Sequence, residues 1–63
     1  IKAIIEKISN NEISLIALSK LIYTIAVDKA AIMEILAHNL RLSGMSENAD
    51  ILNELFKNME NEQ

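Results

Sequence analysis

The 63-residue chain contains no cysteine, no proline, one glycine and one histidine. Without cysteine, it can form neither a disulfide nor a thiolate metal site. The single histidine, His38, leaves no histidine cluster for a metal, and the single glycine, Gly44, leaves no glycine-rich loop for a phosphate. We therefore expect no metal, no cofactor and no enzymatic activity.

An excess of positive charge is also absent, since the net charge is −3. Such a balance disfavours non-specific binding to nucleic acid and to anionic membranes. Residues 46–63 carry five acidic side chains and one basic one, a net charge of −4, whereas residues 1–45 carry +1. This acidic end predicts either a solvated helix face or a segment that docks on a basic partner.

Long uncharged apolar runs are missing as well. The segment Ile13–Ala37 is apolar at 18 of 25 positions, but four charged residues interrupt it. A transmembrane helix needs about 20 consecutive, mostly apolar residues, so we expect no membrane span. No signal-peptide pattern is present, which favours a cytoplasmic protein.

Apolar residues recur at spacings of three and four, without the alternation typical of strands. The fold class is therefore predicted to be all-α, a small bundle of three to four short helices. The predicted helices cover about residues 1–8, 11–26, 29–42 and 47–60. The chain begins without Met, which predicts that residues 1–63 form a single helical interaction domain excised from, or appended to, a longer protein.

Polar residues with capping spacing separate the first two predicted helices. Ser9 and Glu12 have the spacing of a capping box at the start of the second helix. Asn11 is the alternative N-cap.

The third and fourth predicted helices have clearer end signals. Asp28 is a favourable N-cap for the third helix, and Ser46 for the fourth. Gly44 suits the left-handed position that ends a helix, with Met45 supplying the accompanying apolar contact.

The second predicted helix carries more apolar residues than one buried face requires. The stripe predicted to face the core consists of Leu15, Leu18, Leu21, Ile22 and Ile25. A surplus stripe on the opposite side consists of Ile13, Ile16, Tyr23 and Val27. A helix that is apolar on two sides is either central in its bundle or packed against a second molecule. Tyr23 suits the core and an interface equally well.

The third and fourth helices each carry one main apolar stripe. In the third helix the inward residues are predicted to be Ile32, Met33, Ile35, Leu36 and Leu40. In the fourth helix the stripe consists of Ile51, Leu52, Leu55, Phe56 and Met59.

The chain lacks a starting Met, has helices rich in Ile and Leu, and ends in the acidic helix SENADILNELFKNMENEQ. This layout resembles the C-terminal docking domains of modular polyketide and nonribosomal peptide synthases, which are helical appendages that pair one subunit with the next. The resemblance implies that the apolar stripe of the fourth helix contacts the partner. It also implies that Glu47, Asp50 and Glu54 set specificity.

The function predicted from the sequence is protein–protein association. The surplus stripe of the second helix would form a homodimer, or the domain would receive a helix from another polypeptide or donate one to it, with the fourth helix as the natural donor. A small stand-alone regulatory or inhibitor protein would have the same features.

A helix-turn-helix regulator is the alternative from another class. Ile25, Val27, Ile32 and Ile35 fall near the apolar positions of that motif. Only Lys29 in the second helix of the motif suits a phosphate, and no side chain there is placed to read bases.

Overall fold

A computed structural model describes residues 2–62 and contains four α-helices. They are α1 (Lys2–Ser9), α2 (Leu15–Ile25), α3 (Lys29–Leu42) and α4 (Ser46–Asn61). The predicted all-α bundle is confirmed, and the described residues contain no strand. The largest difference from the predicted bounds is the start of α2, which lies four residues later than expected.

The end of α1 explains the late start of α2. Asn11 adopts a left-handed conformation with φ of 59°. The Asn11 amide donates to the Ile8 carbonyl at 3.1 Å, and the Glu12 amide donates to the Lys7 carbonyl at 2.8 Å. These two bonds form a Schellman ending. They use the Glu12 amide, which the capping box would need as the donor to Ser9.

Ser14 is the residue that caps α2, because its Oγ accepts a hydrogen bond from the Ala17 amide at 3.0 Å. The predicted capping box of Ser9 and Glu12 is therefore wrong, and so is the alternative cap Asn11. Both assignments fail for the same reason: residues 10–13 belong to the exit from α1 and to the connection, not to the entry into α2.

The turn between α3 and α4 has the predicted ending. Gly44 has φ of 78°, and its amide donates to the Arg41 carbonyl at 3.0 Å. The Met45 amide donates to the Leu40 carbonyl at 2.8 Å, and the Met45 side chain packs against the core. The cap at Ser46 is wrong, because the helix already includes Ser46 and Met45 occupies the N-cap position.

The cap of α3 is confirmed, since the Asp28 carboxylate accepts a hydrogen bond from the Ala31 amide at 3.1 Å.

Replacing Gly44 tests the turn. We expect Gly44→Ala to lower the free energy of unfolding by about 1–2 kcal/mol, because an L side chain is disfavoured in left-handed backbone. An added Cβ would meet no atom within 4 Å, so the cost comes from the backbone alone. Gly44→Asn should lose less, since Asn tolerates this conformation. Urea unfolding followed by circular dichroism measures both, and an alanine variant as stable as the parent would contradict this ending of α3.

The core lies where α4 packs against α3 and α2. It consists of Ile5, Ile8, Leu18, Ile22, Met33, Leu36, Ala37, Leu40, Ala49, Leu52 and Phe56. The side chains of Leu40 and Leu52 are fully inaccessible. Ser19 is fully buried as well, and its hydroxyl donates to the Ile16 carbonyl at 2.9 Å.

The predicted core stripes of α2 and α3 need correction. Leu21 and Ile25 are 51% and 67% exposed, and Ile32 and Ile35 are 42% and 48% exposed. On α2, Leu18, Ser19 and Ile22 face the core instead. The short bundle covers only one arc of each helix, and the apolar stripe is wider than that arc.

Candidate functional site

A groove runs between α2 and α3, and two rows of exposed aliphatic side chains form its rims. Leu21 and Ile25 lie one turn apart on α2, and Ile32 and Ile35 lie one turn apart on α3. The groove has a volume of about 300 Å³. All of its lining residues are aliphatic: Ile4, Leu18, Leu21, Ile22, Ile25, Ile32, Ile35 and Leu36.

The floor of this groove is the hydrophobic core itself. Leu18, Ile22 and Leu36 are between 2% and 8% exposed. Because these floor residues are held by packing on the other side, the groove is preformed and needs no rearrangement to receive an apolar group.

A second hollow of about 370 Å³ adjoins the groove at the end of α2. The two hollows share Ile22, Ile25 and Ile32, and the second one continues to Val27, which is fully exposed. Apolar surface is therefore continuous from one hollow to the other. We refer to its five exposed large side chains as the α2–α3 apolar face: Leu21, Ile25, Val27, Ile32 and Ile35.

The surplus stripe predicted on the second helix does not form one surface. Ile13 and Tyr23 are half-buried and pack against the core. Ile16 is 55% exposed and Val27 is fully exposed, but Ile16 lies at the start of α2 and Val27 lies beyond its end. Only Val27 from this predicted set belongs to the α2–α3 apolar face.

Tyr23 is held on the core side of α2 by its contacts. Its ring lies 5.7 Å from the Phe56 ring, centroid to centroid, in an edge-to-face arrangement. Lys29 Nζ lies 5.3 Å from the centroid of the Tyr23 ring and donates to the Ala26 carbonyl at 3.3 Å. Such contacts stabilise the junction of α2, α3 and α4.

The apolar stripe predicted as the contact surface of α4 lies largely in the core. Leu52 and Phe56 are 0% and 8% exposed, and Leu55 and Met59 are half-buried. Of the stripe, only Ile51 is exposed, at 51%. The two central residues of the stripe are therefore covered by the chain's own core, and Ile51 with parts of Leu55 and Met59 is what the stripe presents to solvent.

The three predicted specificity charges have different surroundings. Asp50 accepts a hydrogen bond from Arg41 at 2.7 Å in an ion pair that is exposed to solvent. Glu47 and Glu54 are exposed. The acidic surface of α4 is thus partly neutralised by α3, at a gain in stability of about 0–1 kcal/mol for an exposed pair.

The described residues present neither a cluster of metal ligands nor a helix that could span a membrane. Within residues 2–62, no group of three or more His, Asp or Glu side chains is placed to hold a metal ion. Glu34 and His38 lie one turn apart on α3 and both are exposed, a spacing that supplies only two ligands. No helix in this part of the chain is long and apolar enough to cross a membrane.

The helix-turn-helix pattern is not matched by the burial. Ile25, Val27, Ile32 and Ile35 would occupy apolar positions of that motif, but all four are exposed. Lys29, the residue suited to a phosphate, makes its contacts within the chain.

Comparison with known proteins adds no relative from which a function could be transferred. No family model, curated protein or solved structure matches the chain.

Proposed function

We propose that the chain is a protein–protein interaction module whose contact surface is the α2–α3 apolar face. The observation that carries this proposal is that four large aliphatic side chains, 42% to 67% exposed, line one aliphatic groove, and the fully exposed Val27 lines the adjoining hollow. Contiguous apolar patches of this kind mark interaction sites on small proteins. Covering them with another apolar surface removes water from hydrocarbon, which is the main driving force of association.

The exposed side chains contribute little to the fold of the single chain. Fully burying one Leu, Ile or Val side chain stabilises a protein by about 1.5–3 kcal/mol. Ile25 is 67% exposed and Val27 is fully exposed, so most of this free energy is still available at those two positions. A partner that covers these two side chains is stabilised by the free energy of burying them, which folding of the single chain does not provide.

The two other surfaces considered from the sequence are less suitable. The apolar stripe of α4 has Leu52 and Phe56 in the core. In the helix-turn-helix alternative the cation suited to a phosphate is Lys29, whose amine already contacts the Ala26 carbonyl and the Tyr23 ring. Five of the eight exposed large apolar side chains among the described residues lie on the α2–α3 apolar face.

Site-specific photo-crosslinking in living cells that produce the chain tests this proposal. A benzophenone amino acid replaces Ile25 in one variant and Ile16 in the other. Both positions are on α2 and have similar exposure, 67% and 55%. We expect a discrete protein adduct from position 25, to the chain itself or to another protein, and no adduct from position 16.

The adduct from position 25 should disappear when Ile32→Asp is added, because that charge lies on the opposite rim of the same groove. Absence of any protein adduct at position 25, or equal labelling from both positions, would contradict the proposed function.

A further inference from the structure

The proposed function leaves open which molecule covers the α2–α3 apolar face. Resting on that function, we propose that the occupant is a second copy of this chain, docked across a two-fold axis so that each copy covers the other's groove. Three properties of the face favour this occupant: its charge, its shape and its area.

The charge of the face suits contact with itself. A two-fold interface brings the same patch of each copy together, so a patch carrying one sign of charge would repel its copy. The groove has only aliphatic lining residues. Glu34 is two residues from Ile32, about 200° around α3, and so lies on the other side of that helix. Four of the nine acidic side chains lie on α4. Asp28 lines the adjoining hollow, where its carboxylate accepts a hydrogen bond from the Ala31 amide as the cap of α3.

The shape of the face supplies both halves of a contact. The exposed rims of the groove extend over about one turn of each helix, from Leu21 to Ile25 on α2 and from Ile32 to Ile35 on α3. An occupant therefore needs only two protruding aliphatic side chains one turn apart. Leu21 and Ile25 of a second copy meet this requirement, and helix surfaces pack by such insertion of ridges into grooves.

The exposed area allows only a weak, reversible dimer. The five exposed fractions of 51%, 67%, 102%, 42% and 48% amount to about three fully exposed side chains. At about 100 Å² for each, they supply roughly 300 Å² per copy before flanking atoms are included. Two such surfaces supply roughly 600 Å², about half of the 1,200 Å² in total at the lower end of specific interfaces, and flanking atoms must supply the rest. The dimer is therefore weak, with a dissociation constant in the micromolar range or above.

Sedimentation equilibrium of the purified chain, from about 10 µM to 1 mM, tests the second copy directly. We expect the average mass to rise from that of a monomer toward that of a dimer. Ile25→Asp should raise the dissociation constant at least about tenfold, because it places a charge in the groove of the other copy. Ile16→Asp is the matched control on the same helix and should dimerise like the parent.

Circular dichroism verifies that each variant is folded. If Ile25→Asp unfolds, Ile25→Gln removes the apolar contact without a charge and should weaken the dimer in the same direction. A folded parent chain that stays monomeric over the whole concentration range would overturn the proposal that a second copy covers the face. A dimer weakened by Ile16→Asp and not by the changes at Ile25 would overturn it as well.

The two experiments separate the inference from the proposed function. A chain that stays monomeric in sedimentation but gives a position-25 adduct to a different protein would contradict the proposal that a second copy is the occupant. The same result would agree with the proposed interaction module. Absence of both the dimer and the adduct overturns the proposed function itself.

Discussion

Leu52→Ala should remove most of the free energy of unfolding of the chain at 25 °C. Leu52 is 0% exposed and lies on the face of α4 that packs into the core. Truncating a buried leucine to alanine costs about 2–5 kcal/mol. A domain of this size has only about 3–5 kcal/mol of net stability from a single core, so one such cavity removes most of it. Loss of helical ellipticity and of the urea transition measures the effect.

The neighbouring residue provides the control for this result. Ile51 is on the same helix but is 51% exposed, so Ile51→Ala removes little core packing and should retain a cooperative urea transition. Equal loss of stability in the two variants would mean that α4 does not face the core as described. It would also reopen the interpretation of α4 as a helix donated to a partner.

Ser19→Leu should destabilise the chain by about 1–3 kcal/mol or more, although it replaces a polar residue with an apolar one. Ser19 is fully buried on α2, one turn before Tyr23, whose ring contacts Phe56 of α4. A small residue at this point allows α2 and α4 to approach each other. A leucine has no free volume there, and overpacking of a close-packed core forces shifts that cost this amount.

The matched control for this change is Ser19→Ala. The Ser19 hydroxyl bonds only to the Ile16 carbonyl one turn earlier in its own helix, a local bond that adds little to helix stability. Alanine also has the higher helix propensity, so its urea midpoint should equal or exceed that of the parent. A leucine variant at least as stable as the parent would show that α2 and α4 are not in close contact at Ser19.

Local signals in the sequence were sufficient for α3 and for the turn after it. Asp28 and Gly44 act through atoms within a few residues of themselves, and both have the predicted roles. At the start of α2, two local solutions used the same residues. The amide of Glu12 can bond to Ser9 or to the Lys7 carbonyl, and spacing alone does not distinguish the two.

The candidate site was not predictable from periodicity. Spacing shows that Leu21, Ile25, Ile32 and Ile35 share helix faces, but it does not show which arc of each helix the bundle covers. That arc depends on where α4 packs, which is a contact between residues distant in sequence. The available signal was the position of Ser19, because a small residue in a strongly apolar helix is typical of a close helix–helix contact.

The resemblance to synthase docking domains stays a prediction about layout. Its implied contact residues include Leu52 and Phe56, which the folded chain uses for its own core. Of the remaining stripe, only Ile51 is exposed. Association through α4 would therefore require the bundle to open, whereas association through the α2–α3 apolar face requires no change of fold.

Methyl NMR of the isoleucine-labelled chain over a dilution series tests most directly whether a second copy of the chain docks on the α2–α3 apolar face. Ile16, Ile25, Ile32 and Ile51 are all at least 42% exposed, so all four methyl groups can report contact. We expect the signals of Ile25 and Ile32 to shift with concentration, because these residues lie on the α2–α3 apolar face. The signals of Ile16 and Ile51, which lie outside it, should stay constant. Constant signals at Ile25 and Ile32 would contradict the docked second copy, and shifts confined to Ile16 or Ile51 would contradict the α2–α3 apolar face as the association surface.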